Sequence, residues 1–192
     1  DVKQSIHQYI NYGRIFSSIY TARPSLPPRE VSADFRNYSP EAELAVNLCG
    51  LDTLPLIGYG KLGYLATRIG SSIPDLIKPA PVQALAGVAA AWSGNEWLGL
   101  QWAAGVGRKN QDQPSLDLPK ELDFYILEDS AAGIQGGWSA VEVLALSGWR
   151  VNYHPLGITQ HPEKTSALER VGAEIFPDVN TALKSVFINF QD

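Results

Sequence analysis

The apolar positions of this chain fall into alternating strand-like and helix-like spacings. Val2, Ile6, Tyr9 and Ile10 recur at helical intervals in an opening stretch that runs to Tyr12, with Gly13 as its stop. Residues 14–20 then read as a strand closed by Thr21. Helical spacing returns at 82–92, opened by Pro79 and Pro81, and again at 95–106, where Ser93 and Glu96 have the spacing of a capping box. The last third alternates regularly: strand 123–128, helix 134–147 with Gly148 at its end, strand 150–154, helix 162–171, short strand 174–176, helix 178–186. Such alternation predicts an α/β fold, a doubly wound parallel sheet with helices on both faces. The length suits a single domain over 1–192. Between 22 and 77 the pattern breaks. Pro24, Pro27, Pro28, Pro40, Pro55 and Pro74 punctuate it, and helices are expected only at 40–48 and around 61–69.

Composition narrows the partners. Fifteen basic against twenty acidic residues leave a net charge of −5, scattered rather than blocked, which argues against a nucleic-acid partner. The longest apolar run, 84–92, is too short to cross a bilayer, so no membrane association is expected. Cys49 is alone, which precludes an internal disulfide and fits a reducing, cytoplasmic setting. Its expected role is that of a small buried hydrophobe. Trp92, Trp97 and Trp102 recur every five residues, which is no helical face, and are read as packing groups.

The densest chemistry lies in the segment DFYILEDSAAG, 123–133. An apolar strand ends in Glu128 and Asp129, and a small-residue turn opens a helix. In open α/β sheets ligands sit beyond the carboxyl ends of strands. Mg2+, which takes one or two carboxylates plus substrate phosphate, would account for the acid pair, and a solvated acidic turn is the alternative. Lys78 stands just ahead of the helix at 82–92, where the macrodipole disfavours a cation unless an anion joins it. It reads as a phosphate ligand or as an exposed lysine. Asp34, Arg36 and Tyr38 are either substrate contacts or exposed loop residues.

Other patterns are weaker. Gly58, Gly60 and Gly63 satisfy GxGxxG after the apolar run 54–57, with Asp75 near the distance of a ribose-binding acid. The segment before Asp75 is turn-like, so a dinucleotide site lacks its second strand. His7, His154 and His161 are dispersed without zinc-ligand spacing, with His154 expected at a strand end. No Gly-x-Ser-x-Gly elbow occurs.

EDSAAGIQGG, then LALSGWRV, then LERVGAEIFPDVNTAL together resemble the C-terminal half of a haloacid dehalogenase-like hydrolase, over roughly residues 120–186. The resemblance implies a Mg2+-dependent phosphatase of a small phosphorylated metabolite, with Asp129 and Glu128 holding the metal. It also implies that Thr21 and Lys78 grip the phosphoryl group, and that 22–77 is a small cap-like insertion. All four side chains are then expected to converge at one rim of the sheet. The family's attacking Asp, in a DxDxT/V segment, is missing: Asp1 is followed by Val2 and Lys3, and no such segment occurs elsewhere. There is also no Met. The expectation is that a nucleophile strand precedes Asp1. The alternative is a non-catalytic binding or regulatory domain of the same fold. Dehalogenation needs no Mg2+ and fits the acid pair less well.

Overall fold

The computed structural model describes residues 15–106 and 114–188; the expected opening helix and part of the 108–119 connector lie outside them. Among the described residues the chain is mixed α/β, with seven α-helices and two parallel sheets. It divides into two compact units, Phe16–Leu118 and, together with Ile15, Pro119–Asp192.

In the first unit, β1 (Ile19–Tyr20) pairs in parallel with β2 (Leu56–Ile57), in the register Ile19 to Leu56 and Tyr20 to Ile57. The strand expected over 14–20 is thus cut to two residues. Ser18, just before it, donates its hydroxyl to the Gly87 carbonyl (2.8 Å) instead. Helix α1 (Glu41–Leu48) forms the crossover, and Ala42 and Val46 pack with Leu56. Leu56 and Ile57 lie inside the 22–77 segment, which therefore supplies a sheet strand. Cys49 follows α1 and is exposed, contrary to the buried role expected of it.

Helix α2 (Tyr59–Ile69) leaves β2 directly, and helices α3 (Pro81–Ser93) and α4 (Glu96–Gly105) form a hairpin around Gly94, whose φ of 70° needs glycine. Small residues let this pair approach closely. A Cβ on Gly99 would sit 2.8 Å from the Ala86 carbonyl oxygen. Trp102 is buried, Trp92 packs on Phe16 (4.4 Å between ring centres) and Trp97 meets Tyr64 edge-on, as packing groups do.

The unit is tied by a buried charge cluster. Lys61 Nζ lies 3.0 Å from Glu96 and 3.1 Å from Glu43, and it donates to the Pro27 carbonyl (3.2 Å). Lys61 and Glu96 are each only 1% exposed. Glu96 also accepts from the amides of Leu56 (2.9 Å) and Arg29 (3.0 Å). The expected Ser93–Glu96 capping box does not form, because this cluster draws the Glu96 carboxylate inward. Asn95 caps α4 instead, accepting from the Leu98 amide (2.7 Å).

In the second unit, β3 (Glu121–Glu128), β4 (Arg150–Ile158) and β5 (Glu174–Phe176) form a parallel sheet in the order β3-β4-β5. Helix α5 (Ala131–Leu146) follows β3, α6 (Pro162–Glu169) follows β4, and α7 (Val179–Ile188) follows β5. Tyr153 on one face meets α5: its hydroxyl donates to the Ile134 carbonyl (2.8 Å), and a Cβ on Gly137 would fall 2.1 Å from the Tyr153 hydroxyl oxygen. On the other face Leu156 packs with Ala182, Val186 and Phe187 of α7. This sheet thus has helices on both faces.

Strand β4 runs four residues past its expected end at His154 and passes through Pro155. The odd-numbered amides of β4 face β5, as the bond from Thr159 N to Phe176 O (3.0 Å) shows. β5 begins pairing only at Leu156, so the missing N–H of Pro155 costs no ladder bond. The proline that signals a stop in the sequence is tolerated because its neighbour strand is short.

Replacing Glu96 by Leu leaves the Lys61 ammonium buried without its closest carboxylate, and should lower unfolding stability by about 3–5 kcal/mol. Urea denaturation of the two proteins checks this; a loss below about 1 kcal/mol, the scale of an ordinary substitution, would contradict it.

Candidate functional site

Thr21 and Lys78 belong to the first unit and Glu128 and Asp129 to the second, so each pair is described in its own surroundings. Thr21 stands one residue beyond β1, where its amide continues the ladder to the Ile57 carbonyl (3.0 Å). Its hydroxyl oxygen accepts from the Arg23 amide (3.2 Å), and a hydroxyl that accepts in this way keeps its proton to donate. Lys78 lies in the loop that leads into α3, with Nζ over the Tyr20 ring (5.1 Å to its centre).

Gln83, fully buried in the first turns of α3, links the two. Its side-chain amide nitrogen donates to the carbonyls of Thr21 (2.9 Å) and Ile57 (3.2 Å), and its oxygen accepts from the Lys78 backbone amide (3.3 Å). The end of β1, the end of β2 and the Lys78 loop are thus held by one side chain. The expected contribution of the α3 amides to an anion is smaller than the sequence suggests. Pro79 and Pro81 have no N–H, and the amides of Ala80 and Gln83 are bonded to Ile77 O (3.0 Å) and Leu76 O (3.1 Å). The charge in this loop that suits an anion is the Lys78 ammonium.

In the second unit, Glu128 and Asp129 end β3 and take different roles. Glu128 is 7% exposed and turns back on its own loop. Its Oε2 accepts from the amides of Asp129 (3.0 Å) and Ser130 (3.2 Å) and from the Ser130 hydroxyl (2.9 Å). Ser130 in turn caps α5, accepting from the Gly133 amide (3.3 Å). Only glycine fits at 133, since a Cβ there would lie 2.1 Å from the Glu128 carboxyl carbon. The E-D-S-x-x-G pattern is therefore a compact strand-to-helix turn built around the glutamate. Burial, and secondarily the Glu128 charge, push the Tyr153 phenol above its usual range, so it stays a neutral donor to Ile134.

Asp129 points outward, with 65% of its side chain exposed, and pairs with Lys164 Nζ at 2.7 Å. Lys164 was not singled out in the sequence. The available signal was topological: the helices after two neighbouring parallel strands begin at the same end of the sheet, so α6 brings its first turn beside the β3 turn. Exposed and at a strand's carboxyl end, Asp129 suits one carboxylate of a Mg2+ site. Glu128, with three donors on one oxygen, suits the task of shaping the loop that presents Asp129. Among the described residues no cluster of three or more His, Cys, Asp or Glu side chains could hold a metal by itself. Magnesium bound through one carboxylate, water and substrate phosphate needs no such cluster.

The GxGxxG segment does form a strand-to-helix turn, but the protein itself occupies it. The Tyr59 amide donates to Arg23 O (3.1 Å) and the Gly60 amide to the Ser25 hydroxyl (3.0 Å). A Cβ on Gly60 would lie 1.9 Å from the Ser25 carbonyl oxygen. These glycines admit the 23–26 segment where a dinucleotide pyrophosphate would have to approach. His154 lies within β4 rather than at its end, stacked on Tyr125 (4.2 Å) and 3.0 Å from Asp123. Asp34 and Arg36 bond to each other at the surface. No protein-family model, curated protein or solved structure matches the chain.

At the end of β5, Asp178 caps α7. The Thr181 amide (2.8 Å) holds its carboxyl below the ordinary aspartate range. A depressed folded-state value means that this contribution is complete above the unfolded value of about 3.9 and is lost as pH falls through the lower folded value. The wild-type urea midpoint should therefore drop more steeply below about pH 4 than that of Asp178→Asn, whose side chain caps without titrating. Equal slopes for the two proteins would remove Asp178 from the acid limb.

Proposed function

We propose that the chain is the phosphoryl-binding part of a Mg2+-dependent hydrolase of the haloacid dehalogenase-like type, acting as a phosphatase on a small phosphorylated metabolite. The reading carries with it the doubly wound fold of that family and a cytoplasmic setting. The observation that supports it most is the buried Gln83 amide, which binds the backbones of Thr21 and Lys78 at once. These are the two residues that the resemblance assigns to the phosphate. The acid-ended strand β3, with Asp129 presented outward, supports the metal role.

In this reading Thr21 donates its hydroxyl proton to a phosphoryl oxygen, and Lys78 offsets the negative charge on the phosphoryl oxygens as transfer proceeds. Asp129 would hold the Mg2+, which supplies charge neutralisation at the phosphate. Glu128 keeps the Asp129 loop in shape. An aspartate carboxylate attacks phosphorus, the bond from phosphorus to the leaving alkoxide breaks, and an acid protonates that oxygen. Water then cleaves the acyl phosphate, releasing inorganic phosphate and restoring the carboxylate. The 192 residues contain no DxDxT/V segment to provide the attacking and acid–base aspartates. The second reading is a domain of the same fold that binds phosphate without turnover.

Hydrolysis of p-nitrophenyl phosphate by the full-length protein tests the proposal. Activity should need Mg2+ and vanish with a chelator, and Lys78→Ala should lower kcat/KM by about 100- to 1000-fold, the scale for removing one stabiliser of transition-state charge. Turnover that ignores chelator and survives Asp129→Ala would rule the metal assignment out. Phosphate binding with no hydrolysis would select the second reading.

A further inference from the structure

Gln83 is a fully buried polar side chain on a helix whose neighbouring positions Val82, Ala84, Leu85 and Ala86 are buried and apolar. A buried amide that was only filling space would be costly, since each unsatisfied polar atom carries a desolvation penalty. Here the partners define which end is which: two carbonyls call for the NH2 group and one amide N–H calls for the oxygen. Two of these three bonds reach the backbone of Thr21 and Lys78, residues 57 positions apart in the sequence. The third anchors the pair to the end of β2. Phosphate recognition by one hydroxyl and one ammonium depends on their separation, and the long, rotatable stem of the half-buried Lys78 does not set it alone.

We infer that Gln83 is a positioning residue for the anion site: its amide couples the backbone of Thr21 to that of Lys78 and so fixes the spacing at which the two side chains meet one phosphoryl group. This inference rests on the phosphatase reading of Thr21 and Lys78 and assigns to the same site a residue that touches no substrate. Gln83→Met keeps the shape and removes all three bonds. Gln83→Glu keeps the acceptor for the Lys78 amide and loses at least one of the two donors, both when ionised.

The test is calorimetric titration of the full-length protein with inorganic phosphate, with the thermal midpoint recorded for each variant. Leu85→Ala, buried two residues on along the same helix and so not on the face of Gln83, controls for loss of stability alone. Gln83→Met should bind phosphate about tenfold or more weakly, the equivalent of a hydrogen bond to a charged group, while Leu85→Ala binds normally despite a lowered midpoint. Should Gln83→Met fail to fold, Gln83→Glu is expected to show the same loss. Wild-type affinity in a folded Gln83 variant, while Lys78→Ala weakens binding, would overturn the role of Gln83 and leave the anion site standing. Unchanged affinity in Lys78→Ala would overturn both.

Discussion

The first unit depends on one buried ion pair. Lys61 and Glu96 lie 3.0 Å apart, both out of water, on α2 and α4. Such a pair is stable only when the remaining donors and acceptors are also satisfied. They are satisfied by the chain that wraps around them: Glu43, the Pro27 carbonyl and the amides of Arg29 and Leu56 complete the cluster. The segment 23–30 is therefore positioned by charge rather than by regular structure. This segment follows Thr21 directly and passes over Gly58 and Gly60, so the same cluster that orders it also closes the glycine turn to outside ligands.

Glu30 extends this logic. Its carboxylate accepts from the amides of Glu96 (3.0 Å) and Trp97 (3.1 Å), placing a negative charge on the positive end of α4. A proline-punctuated stretch with little helix or strand is held by polar contacts at defined points. Gln83 acts similarly at the ends of β1 and β2. In the second unit Glu128 uses one carboxylate oxygen to shape the turn from which Asp129 projects. Gln83 and Glu128 set the backbone from buried positions, and Glu30 does so from the surface. Burial supplies the rigidity, and exposure leaves Asp129 accessible.

Much of the fold was legible. Helices with strong periodicity, such as the one after Pro81 and the one before Gly148, lie where their apolar spacing puts them, because local geometry and burial point the same way. The strand-turn-helix at Glu128 was legible for the same reason. Strand lengths were not: β1 is shorter than its apolar run and β4 outruns its proline, since pairing depends on where the neighbouring strand begins and ends. The apparent capping box at Ser93 failed because a distant lysine competes for Glu96. Lys164 and Gln83 went unnoticed because a lone lysine on a polar helix, or a lone glutamine in an apolar one, has no pattern in one dimension.

The order of residues by itself determined the helical segments, the parallel α/β alternation of the last third and the types of group available: a threonine, a lysine and two acids. These follow from interactions among residues a few positions apart. Only the tertiary structure decided which of those groups are used internally and which face outward. Glu128 closes its own turn while Asp129 meets Lys164, and Gln83 holds Thr21 and Lys78. Hydrogen bonds and ion pairs between distant segments form only after burial has chosen their partners, and no local spacing encodes that choice.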